Sequence, residues 1–414
     1  MHKKYEETEI KHDKYPKEWK IEPLENLLKG GNVSYGIVQP GNHTTTGVPI
    51  VRVKDLRNGS ILQTNPLRVS PEISNNYSRT RLEGGEVLLS LVGSVGETAI
   101  VPPEMEGWNV ARAIAVLKPS SQISSRWIRL CLQSSFAQHH MGTRQTTTVQ
   151  ATLNLRDVRQ IPIVIPPQDE RNAITAAIGA LDDKITVNER IIATQEEILS
   201  SHFENILSSK EEGTQTVQAS DLVAFNPKTP KPTEDDAIYV DMAALSVERA
   251  PITTWTHRTP KSGSRFINGD TLLARITPCL ENGKTGFVDF MNEGQVGVGS
   301  TEFIVMRSHP GVPPEFSYFL ARDQRFRKHV IQNMAGTSGR QRASAADASK
   351  FIINKPKTEQ IQRFGKDAEK AFSLAKSLNS ESQTLAELRD TLLPQLMSGK
   401  LRVKDAEKIV EDNV

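Results

Sequence analysis

The sequence predicts an α+β protein built as an internal tandem repeat, with two mainly-β globular domains separated by an antiparallel coiled coil of two long helices. Three observations carry that reading. Cognate segments recur in the same order about 185 to 190 positions apart. Each globular copy is a succession of short β-forming runs punctuated by glycine, proline and asparagine. Each copy is followed by a stretch of about 40 residues with apolar side chains on a 4-3 spacing.

The repeat is seen in three pairs of segments. "GGEVLLSLVGSVGETAIV" (84–101) aligns with "NGDTLLARITPCLENGKTGFV" (268–288), and "MGTRQTTT" (141–148) with "MAGTSGRQRAS" (334–344). "LRDVRQIPIVIPPQDERNAI" (155–174) aligns with "AADASKFIINKPKTEQIQRF" (345–364). The strand-like runs include "GVPIVRVKDLRNGSI", "VARAIAVLKP", "AIYVDMAAL" and "VGSTEFIVMRS". Short helices are expected at "SSRWIRLCLQSSFAQHHM" and "PEFSYFLARDQRFRKHVIQNM", at matching places in the two copies.

The first long helical pattern places Ile178, Leu181, Ile185, Ile192 and Leu199 on one seam, with Asn188, Gln195 and His202 on the companion positions. The second carries Phe364, Ala371, Leu378, Leu385 and Leu392 and stops at Ser398 and Gly399. A helix of that length is a rod of roughly 55 to 60 Å, so its seam needs a partner. The simplest arrangement buries the two seams on each other and holds the copies at opposite ends of a rod. The alternatives are packing of each helix on its own domain, or pairing between chains. The division read here is a first globular domain over 1–165, a first spacer helix over 166–212, a second globular domain over 213–355, and a second spacer helix with the C-terminal tail over 356–414.

At 414 residues the chain exceeds what one small core can organise. It is 37% apolar and 24% charged, and no apolar stretch reaches the roughly 18 residues of a membrane helix. The charged start "MHKKYEETEI" has no signal core, so a cytoplasmic location is expected. Two cysteines, Cys131 and Cys279, with no Cys/His cluster, argue against disulfides and structural zinc. A net charge of +2 permits a nucleic-acid partner without requiring one.

One stretch imitates a phosphate-binding loop. "TPCLENGKTG" (277–286) ends in Gly-Lys-Thr, but the glycine required five residues earlier is Pro278, and the repeat mate reads Gly96, Glu97, Thr98. Both copies lie between β-forming runs, which predicts a hairpin turn.

These segments, their order and the ending "LRDTLLPQLMSGKLRV" resemble the specificity subunit of type I restriction-modification systems over almost the whole chain. The resemblance implies two target-recognition domains, each reading one half of a split, asymmetric site on double-stranded DNA, with the helices as the spacer that sets the gap. It implies two methyltransferase subunits as partners, and restriction subunits where a nuclease is assembled. S-adenosylmethionine, ATP and magnesium would belong to those partners, with no cofactor or metal in this chain.

No catalytic constellation emerges, and the N/D-P-P-F/Y methylation motif is absent. "EWK" (18–20) has no paired carboxylate to make a nuclease site, and His139 and His140 lack metal-ligand spacing. DNA contacts are expected from Arg144 and Gln145 ("GTRQ") and from Arg340, Gln341 and Arg342 ("GTSGRQR"). Being shared by both copies, these fit phosphate or scaffold contact better than base reading. Discrimination is expected from residues that differ: Arg79, Arg81 and Arg112 in the first copy, and Lys261, Arg265 and Arg275 in the second. Asp182, Asp183, Lys184, Glu189 and Arg190 read as solvated helix surface, with docking of methyltransferase helices as the alternative. Two rival readings are a coiled-coil adaptor that never touches DNA and a nucleotide-hydrolysing enzyme.

Overall fold

The computed structural model describes residues 15–41, 44–57, 59–63, 66–147, 151–208, 215–233, 236–259, 262–337 and 341–411. They form two compact units, Met1–Thr186 with Glu381–Val414, and Val187–Ser380. Both divisions fall inside the long helices, because each helix half joins a different core.

Unit 1 contains β1 (Lys20–Pro23), β2 (Leu28–Tyr35), β3 (Val48–Val51), β4 (Leu56–Arg57), β5 (Ser60–Ile61) and β6 (Leu67–Val69), then α1 (Pro71–Asn76). There follow β7 (Val87–Ser90), β8 (Thr98–Ile100), β9 (Asn109–Val110) and β10 (Ile114–Pro119). Helices α2 (Ser125–Gln133) and α3 (Ser135–Arg144), strands β11 (Thr146–Thr147) and β12 (Ala151–Thr152), α4 (Leu155–Arg159) and β13 (Pro162–Ile165) lead into α5 (Gln168–Ser208). The main sheet has the order β2-β10-β7-β8, and a smaller one the order β6-β3-β9, with β3 parallel to β9.

Why "EVLLSLV" is apolar without alternation is explained by this layering. Val87 and Leu89 face one core, with α2 and the long helices, while Leu88 faces a second core toward the small sheet. The central strand is buried on both sides.

Unit 2 repeats the plan with β14 (Thr216–Gln218), β15 (Val223–Phe225), β16 (Ala237–Val240), β17 (Thr256–Arg258), β18 (Ser264–Phe266), β19 (Thr271–Ala274) and β20 (Thr285–Phe287). It continues with β21 (Gly297–Gly299), β22 (Phe303–Ser308), α6 (Pro314–Arg322), α7 (Gln324–Gln332), α8 (Ala345–Ala348), β23 (Ile352–Asn354) and α9 (Thr358–Met397). Its main sheet, β15-β22-β19-β20, has the same order as that of unit 1, and its small sheet is β17-β16-β21-β18, with β16 parallel to β21. Leu273 and Leu272 point into separate cores as Leu89 and Leu88 do. The duplication extends to strand order and direction.

Each expected short helix is two. The first breaks at Ser134, whose Oγ accepts from the amide of Ala137 at 3.3 Å, and the second at Asp323, which accepts from the amides of Arg325 and Phe326. Capping side chains start a new helix at a changed angle.

The long helices pair antiparallel within each unit. In unit 1, Ile174, Ile178, Leu181 and Ile185 share a core with Leu385, Leu388, Leu392 and Leu396. In unit 2, Leu199, Phe203 and Ile206 share one with Phe364, Ala368 and Ala371. Ile192 is also buried, and Leu378 half-buried. Asn188, fully buried, donates to the Leu378 carbonyl at 3.5 Å, and the His202 ring meets Phe364 edge-on. Both cores include sheet and short-helix residues, so seam pairing and packing on the domain occur together. The tail forms α10 (Val403–Glu411), whose Ala406 is buried in the core of unit 1.

The charges expected to be solvated are mostly engaged. Asp182 accepts from Arg129 and from Arg389, each at 2.9 Å, and Asp183 pairs with Arg126. Lys184 meets Glu381 at 3.3 Å, and Glu189 meets Arg249 at 3.4 Å. No described helix is long and apolar enough to cross a membrane.

Candidate nucleic-acid interface

In unit 1 the register pairs Tyr35 with Ala115 and Ser90 with Ile114, so the loop after β2, the loop after β7 and the turn 111–113 leave the main sheet at one end. The β11–β12 ribbon joins them through a bridge between Val92 and Thr152 and a bond from the Gly93 amide to the Ala151 carbonyl. Arg112 stands exposed in that turn. Arg144 ends α3, half-buried, and donates to His140 Nδ1 at 3.1 Å. Burial first, then the charges of Arg144 and His139, push the His140 imidazole down to about 4, so it is neutral near pH 7. Gln145 caps α3 and is half-buried.

Arg79 and Arg81 lie elsewhere, beside the small sheet. Both are exposed, and Arg81 donates to Asn75 Oδ1 at 2.6 Å. Between them the Thr80 hydroxyl donates to the buried Oδ1 of Asn109 at 2.7 Å, fixing the turn to β9.

In unit 2 the same sheet end gathers Arg275, Gln341 and Arg342. The Arg275 amide donates to the Glu302 carbonyl, and the Ala343 amide donates to the Arg275 carbonyl. Arg342 grips the Glu302 carboxylate through Nε at 2.9 Å and Nη2 at 2.7 Å. This hydrogen bond foremost, with the Arg342 and Arg275 charges, holds the Glu302 carboxyl below its ordinary range. Arg275 Nε is buried and has no partner among the described residues. Gln341 offers its carbonyl to both the amide and the hydroxyl of Thr277. Arg265, on β18, donates to the Thr229 carbonyl at 3.1 Å. Lys261 and Arg340 lie outside the described residues.

The shared backbone bonds make the two ends comparable position by position. Leu91 donates to Ala113 as Arg275 does to Glu302, Leu153 donates to Leu91 as Ala343 does to Arg275, and Val92 bridges Thr152 as Ile276 bridges Arg342. Where unit 2 has Arg275, Glu302 and Arg342, unit 1 therefore has Leu91, Ala113 and Thr152. Gln145 and Gln341 are not equivalent: Gln145 leads into the ribbon, whereas Gln341 lies beside Arg342 on its return arm, and Arg340 lies outside the described residues. A shared Arg-Gln motif at one structural position is thus corrected. Glu302 was missed because only the strand register brings it to Arg342.

The Gly-Lys-Thr segment closes the β19–β20 hairpin, and Lys284 Nζ donates to the Met242 carbonyl at 2.8 Å. A strand follows where a phosphate loop needs a helix.

Comparison with known proteins points one way. The family model for the type I restriction modification DNA specificity domain matches residues 16–197. The specificity subunit of the type I restriction enzyme EcoBI of Escherichia coli is 27% identical over 168 residues, 40% of this chain and 35% of that protein. The EcoEI specificity subunit of the same organism is 26% identical over 209 residues, 49% of this chain and 35% of that protein. The matches thus span about a third of these relatives' length. Among solved structures, the S subunit of a type I restriction-modification system from M. genitalium aligns with a TM-score of 0.52 at 12% identity, covering 91% of this chain and 96% of that one. The likeness is one of fold.

Proposed function

From this chain's similarity over part of its length to type I restriction-modification specificity subunits, we propose that it is a non-catalytic DNA-recognition subunit. It reads a bipartite, asymmetric site, one half with each β-rich unit, and scaffolds two methyltransferase subunits and, in a nuclease, restriction subunits. S-adenosylmethionine, ATP and magnesium act in those partners, and the assembly works in the cytoplasm. The observation that carries this reading is the duplicated frame with unlike side chains at its loop end: Leu91, Ala113 and Thr152 against Arg275, Glu302 and Arg342. Two copies of one scaffold with different tips suit a target whose halves differ. The paired helices suit a spacer of fixed length.

The test is adenine methylation across the genome of a methylation-free host, read by single-molecule sequencing, with this chain expressed beside the neighbouring methyltransferase gene. A split motif with a fixed gap, lost when this chain is omitted, is expected. A folded, bound methyltransferase that leaves no motif overturns the proposal in favour of an adaptor that does not touch DNA.

A further inference from the structure

The two small sheets differ in what lies on their outer face. In unit 1 that face carries Ile50 and Val69, both fully buried, and Ile73 of α1 with Tyr77 packs over them. The frame places Tyr239 where unit 1 has Ile50, because Val240 accepts from Ser300 as Val51 accepts from Ala111. Arg258 pairs with Ala237 as Val69 pairs with Val48, so Arg258 takes the place of Val69. Only five residues, 259–263, join β17 to β18, fewer than the six of α1, where unit 1 uses 70–80 and folds that helix. Without that cover the outer face of unit 2 is exposed at its Arg258 edge and half-buried at Tyr239 and Arg265, while Ala237 and Val298 on the same face are buried.

Its chemistry is basic and aromatic. The Arg258 guanidinium lies over the Tyr239 ring at 4.1 Å, and Arg258 is exposed on an edge strand. Tyr239, Val298 and Arg265 follow one another across three strands in register, which puts them on one face. Arg265 in turn holds the Thr229 carbonyl, tethering a loop from which Lys228 and Lys231 project exposed. From 250 to 269 the sequence contains no aspartate or glutamate. The nearby Asp236 faces His257 at 3.7 Å.

Resting on the DNA-recognition reading above, we infer that this edge, centred on Arg258 over Tyr239, is a phosphate clamp for the duplex flanking the half-site read by unit 2. A guanidinium stacked on a ring keeps its plane fixed and its in-plane N–H donors free, which suits the two oxygens of a phosphate. Unit 1 has no counterpart, since its equivalent face is closed by α1. The clamp therefore makes affinity for the two half-sites unequal.

The experiment uses the full chain in complex with the methyltransferase from the neighbouring gene. The probe is a 40-base-pair duplex (about 40, enough to exceed the site on both sides) carrying the motif found by methylation sequencing. Arg258→Ala and Tyr239→Ala are each expected to weaken binding about tenfold and to lower the slope of log affinity against log salt by about one. Arg258→Lys, which keeps the charge but lacks the planar fork, restores the salt slope and recovers only part of the affinity. The loss is the same whichever base pairs occupy the flank. Should Arg258→Ala melt early, Arg258→Gln, which preserves length, takes its place. Wild-type affinity and slope in these variants, with the wild type binding its site, overturn the clamp alone. A loss confined to one base pair makes Arg258 a base reader and also overturns it. A wild-type complex that binds no duplex removes the DNA reading itself, and the clamp with it.

Discussion

Asp182 and Asp183 are adjacent acids on one helix, and the fold gives them opposite weights. Asp182 receives Arg129 and Arg389, with side-chain exposures of 14%, 10% and 21% for the three groups. Asp183 meets Arg126 with 60% and 51% exposure. Removing Asp182 strands the Arg129 guanidinium in a partly dry junction between α2, α5 and α9 and leaves Arg389 with Asp390 alone, a loss of about 3 kcal/mol, the lower end for a broken buried pair. Removing Asp183 frees one solvated arginine, worth less than about 1 kcal/mol. Unit 1 unfolds with a urea dependence of about 2–3 kcal/mol per molar for its size, so Asp182→Ala lowers the midpoint by about 1–1.5 M and Asp183→Ala by less than about 0.5 M. Tryptophan fluorescence is weighted to this unit, since Trp19, Trp108 and Trp127 lie in it with Trp127 fully buried, whereas the fourth tryptophan, Trp255 of unit 2, is exposed. In molar salt the Asp183→Ala effect fades while that of Asp182→Ala persists. Equal midpoint shifts for the two variants would refute the assignment of burial, not charge, as the deciding factor.

Three further outcomes follow from the same contacts. Phe364, fully buried with the rings of Phe203 and Phe319 at 5.4 and 5.3 Å, loses about 3–5 kcal/mol on substitution by alanine, whereas exposed Leu374→Ala stays within about 0.5 kcal/mol; thermal melting of the full chain compares them. Burial raises the Glu196 carboxyl above its ordinary range, against the Tyr318 hydroxyl that donates to it, so its contribution is full below the unfolded value and is lost as pH rises through the folded one. Glu196→Gln therefore melts close to wild type near pH 4 and gains on it toward pH 8; a gap that stays constant with pH contradicts this. Seven residues added to both α5 and α9 keep the seam in phase and lengthen each helix by about 10.5 Å, or roughly three base pairs, so the gap in the methylated motif widens by about three; an unchanged gap removes the helices as the spacer.

What could be read from the sequence was set by periodicity and order. A 4-3 spacing buries one stripe whatever it meets, so Ile178, Leu181, Leu385 and Leu392 were legible as seam residues, although the spacing alone could not say that sheet and short helices would share their cores. Helix breaks at Ser134 and Asp323 were less legible, because a capping residue looks like any polar residue until its neighbours' amides are seen to need it. At the candidate site, matching letters misled. "RQ" recurs in both copies, yet Gln145 precedes the outgoing strand of the ribbon at Thr146 while Gln341 adjoins the return position Arg342, so the two glutamines fall on different arms. Backbone hydrogen bonds are the sounder ruler, since duplication must keep them to keep the sheet, while side chains at the loop ends are free to change. By that ruler the positions that differ most in chemistry are Leu91 against Arg275, Thr152 against Arg342, and Val69 against Arg258. Each of these places an arginine in unit 2 where unit 1 is neutral, whereas Ala113 against Glu302 adds the carboxylate that Arg342 grips and Arg112 against Thr301 puts the arginine in unit 1. On the proposed DNA-recognition reading, the Arg258 edge that unit 1 lacks acts on a polyanion until salt screens it, so the two units would grip one duplex unequally before any base is read.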